Sequence, residues 1–517
     1  MVFPSEKKFL ELTKKGNLIP VYKEILGDLE TPVSAYFKTA HKAKYSFLLE
    51  SVEGEEKVAR FSFLAKDPEL IFHSKHNTVT ISRLTKGKII KETFKIVDTP
   101  LSFIRQILKK YTFVNVSQLP RFCGGLVGYL SYDVVKFFEK LPFKTKDDLK
   151  LPDALLVLAK DLIIFDHLNH NIKVVQCVHI PEKCSFSQKI EEYGKALHKI
   201  DRLINELRGP LTVKTQENSK AETRFLELRP KSNTTETAFK KMVSEAKKQI
   251  RKGEIIQVVL SQRFEVDLKT DPFNIYRTLR SINPSPYMFY LNFDGIQIIG
   301  SSPELLVRCE NSIVETRPIA GTRPRGKDDR QDALLAKDLL NDPKEKAEHI
   351  MLVDLGRNDL GRVCQKGSVR ISEFMSIEKY SHVMHIVTNV KGRLKQKNDS
   401  LDVLRAAFPA GTVSGAPKIR AMEIIEDLEK VTRGPYAGCV GYFSFSGNLD
   451  TCITIRTIIA SKGKAYIQAG AGIVADSTPQ KEYQETVNKA KAQIMAIKLA
   501  HHQPVRRPIL NMRRAQG

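Results

Sequence analysis

Residues 209–235, GPLTVKTQENSKAETRFLELRPKSNTT, interrupt the chain with neither the alternation of a strand nor the 3.6-residue repeat of a helix. The stretch is polar and contains Pro210 and Pro230, so it reads as a linker. Chain length suggests two large units or one large composite domain. A chain of 517 residues exceeds what a single simple core accommodates. Residues 1–208 form the first region. Their apolar runs LPDALLVLAKDLIIFDH and NIKVVQCVHI predict strands, and a helix follows near 187–207. Residues 236–500 form the second region, and 501–517 form a basic tail.

Composition narrows the function classes. The formal charge is +24, but lysines are dispersed among acidic residues and only the tail is a compact basic block. A phosphate footprint clusters on one face, so a cationic enzyme acting on a small anionic substrate fits better than a nucleic-acid binder. A polyanion-binding module is the non-enzyme alternative. No apolar run approaches the roughly 20 residues that span a bilayer, and the opening MVFPSEKKFLEL has no apolar signal core. Seven scattered cysteines without C-x-x-C imply reduced thiols and a cytoplasmic setting.

In the second region Thr235 is placed to cap a helix with Glu236 in its first turn. Phe239, Met242, Val243, Ala246 and Ile250 form its apolar stripe, and Gly253 ends it. The strand pattern EIIQVVLSQRFEV then sets Ile256, Val258, Leu260, Phe264 and Val266 on one face. Gln257 falls on the other face with Ile255, Val259, Ser261 and Arg263, a polar amide on a half-apolar surface. The later segments GTVSGAPK, RGPYAGCVGYFS and QAGAGIVADSTP carry dense glycine without a dinucleotide fingerprint or P-loop. Beside Arg and Lys, such loops suit carboxylate recognition through backbone N–H groups, and turns account for many of the glycines equally well.

Two helices repeat one acidic pattern. Asp342-Pro343 and Thr478-Pro479 each mark a helix start. Glu345 and Glu348 then share one face, as do Glu482 and Glu485, with Lys489 one turn beyond. A carboxylate from each helix would suit Mg²⁺, which takes few protein carboxylates and keeps waters and substrate oxygens. Two ordinary solvated faces with Glu–Lys pairs are the alternative. The residues alone thus describe an anion-handling α+β enzyme whose paired carboxylates suit magnesium.

Taken together, PIAGTRPRG, EHIMLVDLGRNDLGRV, YSHVMHIVTNV, FPAGTVSGAPKIRAMEII, RGPYAGCVGYFSF, TCITIRTI and QAGAGIVADSTPQKEYQETVNKA resemble the chorismate-utilising enzymes. The likeness is greatest to the large subunit of anthranilate synthase, and FLLES and FCGGLVGYLSYD resemble that family's N-terminal region. The resemblance implies an α+β chorismate-binding fold of large layered antiparallel and mixed sheets, with outer helices and a cleft between. It implies that Glu348 and Glu485 hold Mg²⁺, with Glu345 and Glu482 behind them. Tyr436 and Arg456 would clamp the enolpyruvyl carboxylate, and Gly470, Ala471 and Gly472 would offer backbone donors. Gly321 and Thr322 would line the ring pocket, and Lys489 would balance the acidic helix. Glu304 matches the general acid, and His385 matches a histidine linked to the elimination step.

Two positions separate reactions within the family. Relatives that hydrate chorismate carry Lys where this chain has Gln257, which is no base but can orient ammonia. Aminodeoxychorismate synthases, the enzyme alternative, read P-I-K-G-T where this chain has Ala320 and no nucleophile. Direct attack by ammonia at C2, giving 2-amino-2-deoxyisochorismate and then anthranilate, is the implied chemistry. The arginines beside Ala320 serve ion pairs or the field felt by a dianionic substrate, and a purely structural role for Arg323 and Arg325 is the alternative. With no Cys-His-Glu amidotransferase signature here, the resemblance implies a separate glutamine amidotransferase subunit that delivers ammonia. It also implies feedback inhibition by L-tryptophan at Ser51, Pro286, Tyr287 and Met288. No nucleic-acid or membrane partner is expected.

Overall fold

The computed structural model describes residues 2–51, 60–85, 88–116, 118–142, 144–211, 228–380 and 383–502. Most of the 209–235 linker and of the 501–517 tail therefore lies outside the described residues. The architecture is α+β and takes the composite form. A 13-stranded sheet and a 12-stranded sheet each draw strands from both sides of the break. In the larger sheet Tyr45–Glu50 pairs antiparallel with Tyr287–Phe293, setting Leu49 opposite Phe289. In the smaller, Gly125–Leu130 pairs with Cys439–Ser444.

Alternation explains why several strands read as unbroken apolar runs. Leu162 and Ile164 face a core shared by both sheets, whereas Ile163 and Phe165 face a second core under the outer helices. Strand 287–293 divides in the same way, with Phe289 and Leu291 inward and Met288 and Tyr290 outward. The sheets are thus stacked with apolar side chains between them. The helices Phe186–Arg208, Pro272–Ile282 and Pro479–His502 cover the outer face of the larger sheet.

Local signals hold where chemistry enforces them. Thr235 accepts from Ala238 N–H and starts the helix Glu236–Arg251. Asp342 accepts from the N–H groups of Lys344 and Glu345 and starts Pro343–Val363. One assignment fails: Ile256, placed on the apolar face of its strand, is 62% exposed. The strand begins one residue later, at Gln257, and both of its faces are covered through Phe264. Ile256 instead donates its N–H to Ala416 O at the sheet margin.

Candidate active site

Strand Lys464–Ile473 is the floor of the site. One side pairs with Gln257–Asp267, so Gly472 lies opposite Val259, Ala471 opposite Leu260 and Gly470 opposite Ser261. On the other side, pairing with Thr457–Ser461 stops at Ile467. Gly470–Gly472 therefore have an edge beyond the reach of that neighbour. The glycines are needed for space. A Cβ at Gly470 would come within 2.6 Å of the Tyr436 hydroxyl, and one at Gly472 within 2.5 Å of Gln257 Nε2. Both polar groups thus lie directly on this backbone.

The two acidic helices converge on the same strand. Gln257 Nε2, seated on Gly472, donates to Glu348 Oε1 at 3.3 Å. Lys489 donates to Gly470 O at 3.1 Å and pairs with Glu485 Oε1 at 2.6 Å. The two attachment points are two residues apart, about 7 Å along a strand. Burial and Glu348 raise the pKa of Glu345, and burial also raises that of Glu482, with Glu485 adding to it. Lys344, at the start of the first helix, acts on Glu482 of the second. Four carboxylates with hard oxygens, two of them pushed towards protonation in part by like charge, form a donor set that suits a small divalent cation. Among the described residues, no three His, Cys, Asp or Glu are grouped to enclose an ion by themselves. Any ion here would rest on Glu348 and Glu485 together with water and substrate oxygens.

Cationic groups face this acid cluster. Arg456, partly buried and at φ 52°, donates to Lys489 O at 2.7 Å. Burial lowers its pKa, and it has no carboxylate within ion-pair distance among the described residues. A guanidinium held so is available to an external planar acid. The arginines of RPIAGTRPRG behave differently. Arg323 pairs with Asp338 at 2.7 Å and Asp342 at 2.9 Å, Arg325 with Asp332 at 2.7 Å, and Arg317 with Glu378. All three are thus engaged in ion pairs within the chain.

Ala320 is buried opposite Ile386, and the register shifts between Ala320 and Arg323. Gly321, at φ 68°, sits in that irregularity, and a Cβ there would press within 3.2 Å of Glu345 Oε2. Its carbonyl accepts from His385 Nδ1 at 2.8 Å, with the Thr322 hydroxyl at 3.2 Å. Bonding to a carbonyl fixes the proton on Nδ1 and leaves Nε2 as a base. Burial lowers the histidine's pKa, and Arg456 adds to the effect, so the ring is neutral. Tyr380 meets it edge-on at 5.6 Å between ring centres.

Glu304 is buried, and its carboxyl is pushed up to about 7, chiefly by desolvation and against the pull of Lys489. The Thr412 hydroxyl lies beside it in a small cavity also lined by Pro318, Gly411 and Ile453. Thr412 was not anticipated: FPAGTVSG contains it, but nothing local distinguishes it from a turn residue.

The four residues assigned to feedback, Ser51, Pro286, Tyr287 and Met288, line one cavity of about 560 Å³ between the sheets. Ser51 Oγ is buried and has no hydrogen-bond partner among the described residues. Asp450 accepts from the Tyr287 hydroxyl at 2.9 Å and pairs with Arg308 at 3.0 Å and Arg121 at 3.1 Å. That network escaped the sequence reading because its members lie far apart in the chain. Pro303 and Leu305, on either side of Glu304, also line this cavity.

The site joins a glycine-lined strand floor, an acid pair on each of two helices and a buried glutamic acid with a raised pKa, and the family model for chorismate binding enzymes matches residues 42–495. The chain belongs to the chorismate-binding enzymes. Within that family it belongs with the anthranilate synthase component 1 proteins. It is 48% identical to that of Acetivibrio thermocellus, over 97% of this chain and 99% of the relative. It is 49% identical to that of Aquifex aeolicus (strain VF5), over 95% and 97%. The crystal structure of anthranilate synthase component I from Streptococcus pneumoniae TIGR4 superposes with a TM-score of 0.73 at 38% identity, covering 91% of this chain and 98% of that one. No helix among the described residues is long and apolar enough to cross a membrane.

Proposed function

We propose that the chain converts chorismate and ammonia to anthranilate, pyruvate and water. The observation that carries this reading is Gln257, seated on Gly472 and bonded to Glu348 at 3.3 Å. It places an amide where a hydrating relative needs a basic amine, and Ala320 supplies no alternative nucleophile. Ammonia, oriented by Gln257, forms the new bond at C2. The C4 hydroxyl departs with the proton of Glu304, whose pKa near 7 keeps it a competent acid. The product of this step is 2-amino-2-deoxyisochorismate. Loss of the C2 proton then breaks the ether bond, releases pyruvate and aromatises the ring, with Nε2 of His385 as the base. Arg456 and Tyr436 hold the enolpyruvyl carboxylate. Gly321 and Thr322 form the ring wall.

Glu348 and Glu485 would hold Mg²⁺, with Glu345 and Glu482 behind them, and the bound ion would polarise the ring carboxylate. The name shared by the relatives, component 1, supports a second component, which we assign as a glutamine amidotransferase supplying ammonia. The Ser51–Tyr287 cavity is assigned to L-tryptophan, whose amino acid head and indole suit its mixed charged and aromatic lining.

The test is product identification. Purified chain with chorismate, Mg²⁺ and an ammonium salt is expected to release fluorescent anthranilate, and glutamine alone is expected to give none. Isochorismate or 4-amino-4-deoxychorismate as the accumulating product would overturn the assignment.

A further inference from the structure

Arg433 sits three residues before Tyr436 in RGPYAG, and the chemistry above gives it no part. It is 2% exposed, yet every face of its guanidinium is occupied. Nη1 donates to Val413 O at 2.7 Å. Nη2 donates to Val259 O and to Glu429 Oε1, both at 2.7 Å, and Nε donates to Glu429 Oε2 at 2.9 Å. The guanidinium carbon lies 4.8 Å from the ring centre of Tyr132 and 5.6 Å from that of Tyr436. Glu429 Oε1 in turn accepts from the backbone N–H of Ser261 at 2.8 Å and from its hydroxyl at 2.9 Å.

Those contacts join three segments that local structure leaves independent. Val259 is two residues from Gln257 on the same strand, and Val413 is next to Thr412, the neighbour of Glu304. The third segment is the loop that brings Tyr436 to Gly470. We infer that Arg433 is a positioning residue that sets the ammonia-orienting amide, the acid's turn and the carboxylate clamp relative to one another. The planar fork of an arginine reaches two carbonyls on different segments while holding both oxygens of one carboxylate, which is more than the three donors of an ammonium supply. A lysine keeps the charge and loses that geometry. A buried ion pair is poor evidence for a stability role, since well-packed apolar side chains often do as well. The spread of its contacts over three site-bearing segments is what points to positioning.

This inference rests on the proposed reaction, and the experiment separates the two. Wild-type chain that makes no anthranilate overturns the reaction. With active wild type, Arg433→Lys is expected to fold, as judged by circular dichroism. Its kcat with ammonium is expected to fall about 100-fold, because small misplacements of reacting groups cost that much. The alkaline limb of its pH profile is expected to move to lower pH, because a loosened turn at Thr412 admits water to Glu304. A lower melting temperature with unchanged kcat, KM and pH limb would show a merely structural arginine and overturn the inference. Should Arg433→Lys fail to fold, Ser261→Ala decides. It removes one bond to Glu429, and kcat is expected to drop about fivefold. Wild-type kinetics in that variant would overturn the inference equally.

Discussion

Two regions of the molecule treat charge differently. Around the Ser51–Tyr287 cavity the charges are cross-paired: Arg308 and Arg121 with Asp450, Arg308 with Glu315, and Arg280 with Glu50. Around Gly470–Gly472 the pairing is incomplete: Lys489 pairs with Glu485, but Arg456 has no carboxylate within ion-pair distance among the described residues, and burial pushes the Glu304 carboxyl up to about 7. Pairing fixes shape at little electrostatic tension. Open charge is costly in the ligand-free chain and is relieved only by a substrate with complementary groups. The first arrangement suits recognition and the second suits chemistry, although Pro303 and Leu305, which flank Glu304, line the first cavity.

The sharpest way to break that contrast is at Glu304. Glu304→Gln is expected to lower kcat about 1000-fold with little change in chorismate affinity, read from anthranilate release. The wild-type rate should fall as pH rises through about 7, where the acid gives up its proton. Stability carries the same signature. Between its ordinary value of 4.5 and about 7, folded Glu304 keeps a proton that the unfolded chain has lost. Stability therefore falls with rising pH across that window and levels above it. Denaturant melts should show a shallower fall in Glu304→Gln, and equal slopes would remove Glu304 as the buried acid.

Next in size is a matched pair of arginines. Arg456→Met removes an open charge. KM for chorismate is expected to rise about 30-fold, the worth of a charge-assisted contact, while the ligand-free chain melts no lower than wild type. Arg308→Met breaks a closed network and leaves Asp450, which is 4% exposed, with one cation fewer. A stability loss of about 3 kcal/mol is expected, with KM for chorismate little changed. If both variants shift the same observable, the distinction between open and closed charge fails.

The acid helices were legible because a cap, a proline and a three-residue offset are local facts, and the helix Pro479–His502 begins where Thr478-Pro479 marks it. Gln257 and Ala320 were legible only through resemblance, since a polar residue on a strand face has many explanations. The sharing of both sheets across the break was not legible. Pairing of 45–50 with 287–293 is set by packing between distant segments and leaves no mark in either one alone. Arg433 opens a recognised motif, yet its role depends on Glu429, Val259 and Val413, which sequence spacing cannot bring together. Ile256 was misplaced because alternation carries no information about where a strand starts.

Within the closed cavity, Ser51→Phe removes a buried hydroxyl that has no hydrogen-bond partner among the described residues and puts a ring in its place. The tryptophan concentration for half inhibition is expected to rise about tenfold with kcat held within about twofold, since lost polar contact and steric conflict act on the inhibitor alone. Loss of catalysis in proportion would place Ser51 in the active-site scaffold instead.

The smallest effect should come from Tyr287→Phe. The hydroxyl lies 2.9 Å from Asp450 and 3.0 Å from Arg308, so its removal cuts two bonds but leaves Arg308–Asp450 intact. Apolar contact with a bound indole is unchanged. Half inhibition is therefore expected to shift by about threefold, close to the net worth of one hydrogen bond within a network that can partly close over the loss. Measured at fixed chorismate, a shift as large as that of Ser51→Phe would mean that the hydroxyl itself contacts the inhibitor and that the pairing around Asp450 is not closed. No shift, with melting also unchanged, would mean that the Arg308–Asp450 pair alone holds the cavity wall.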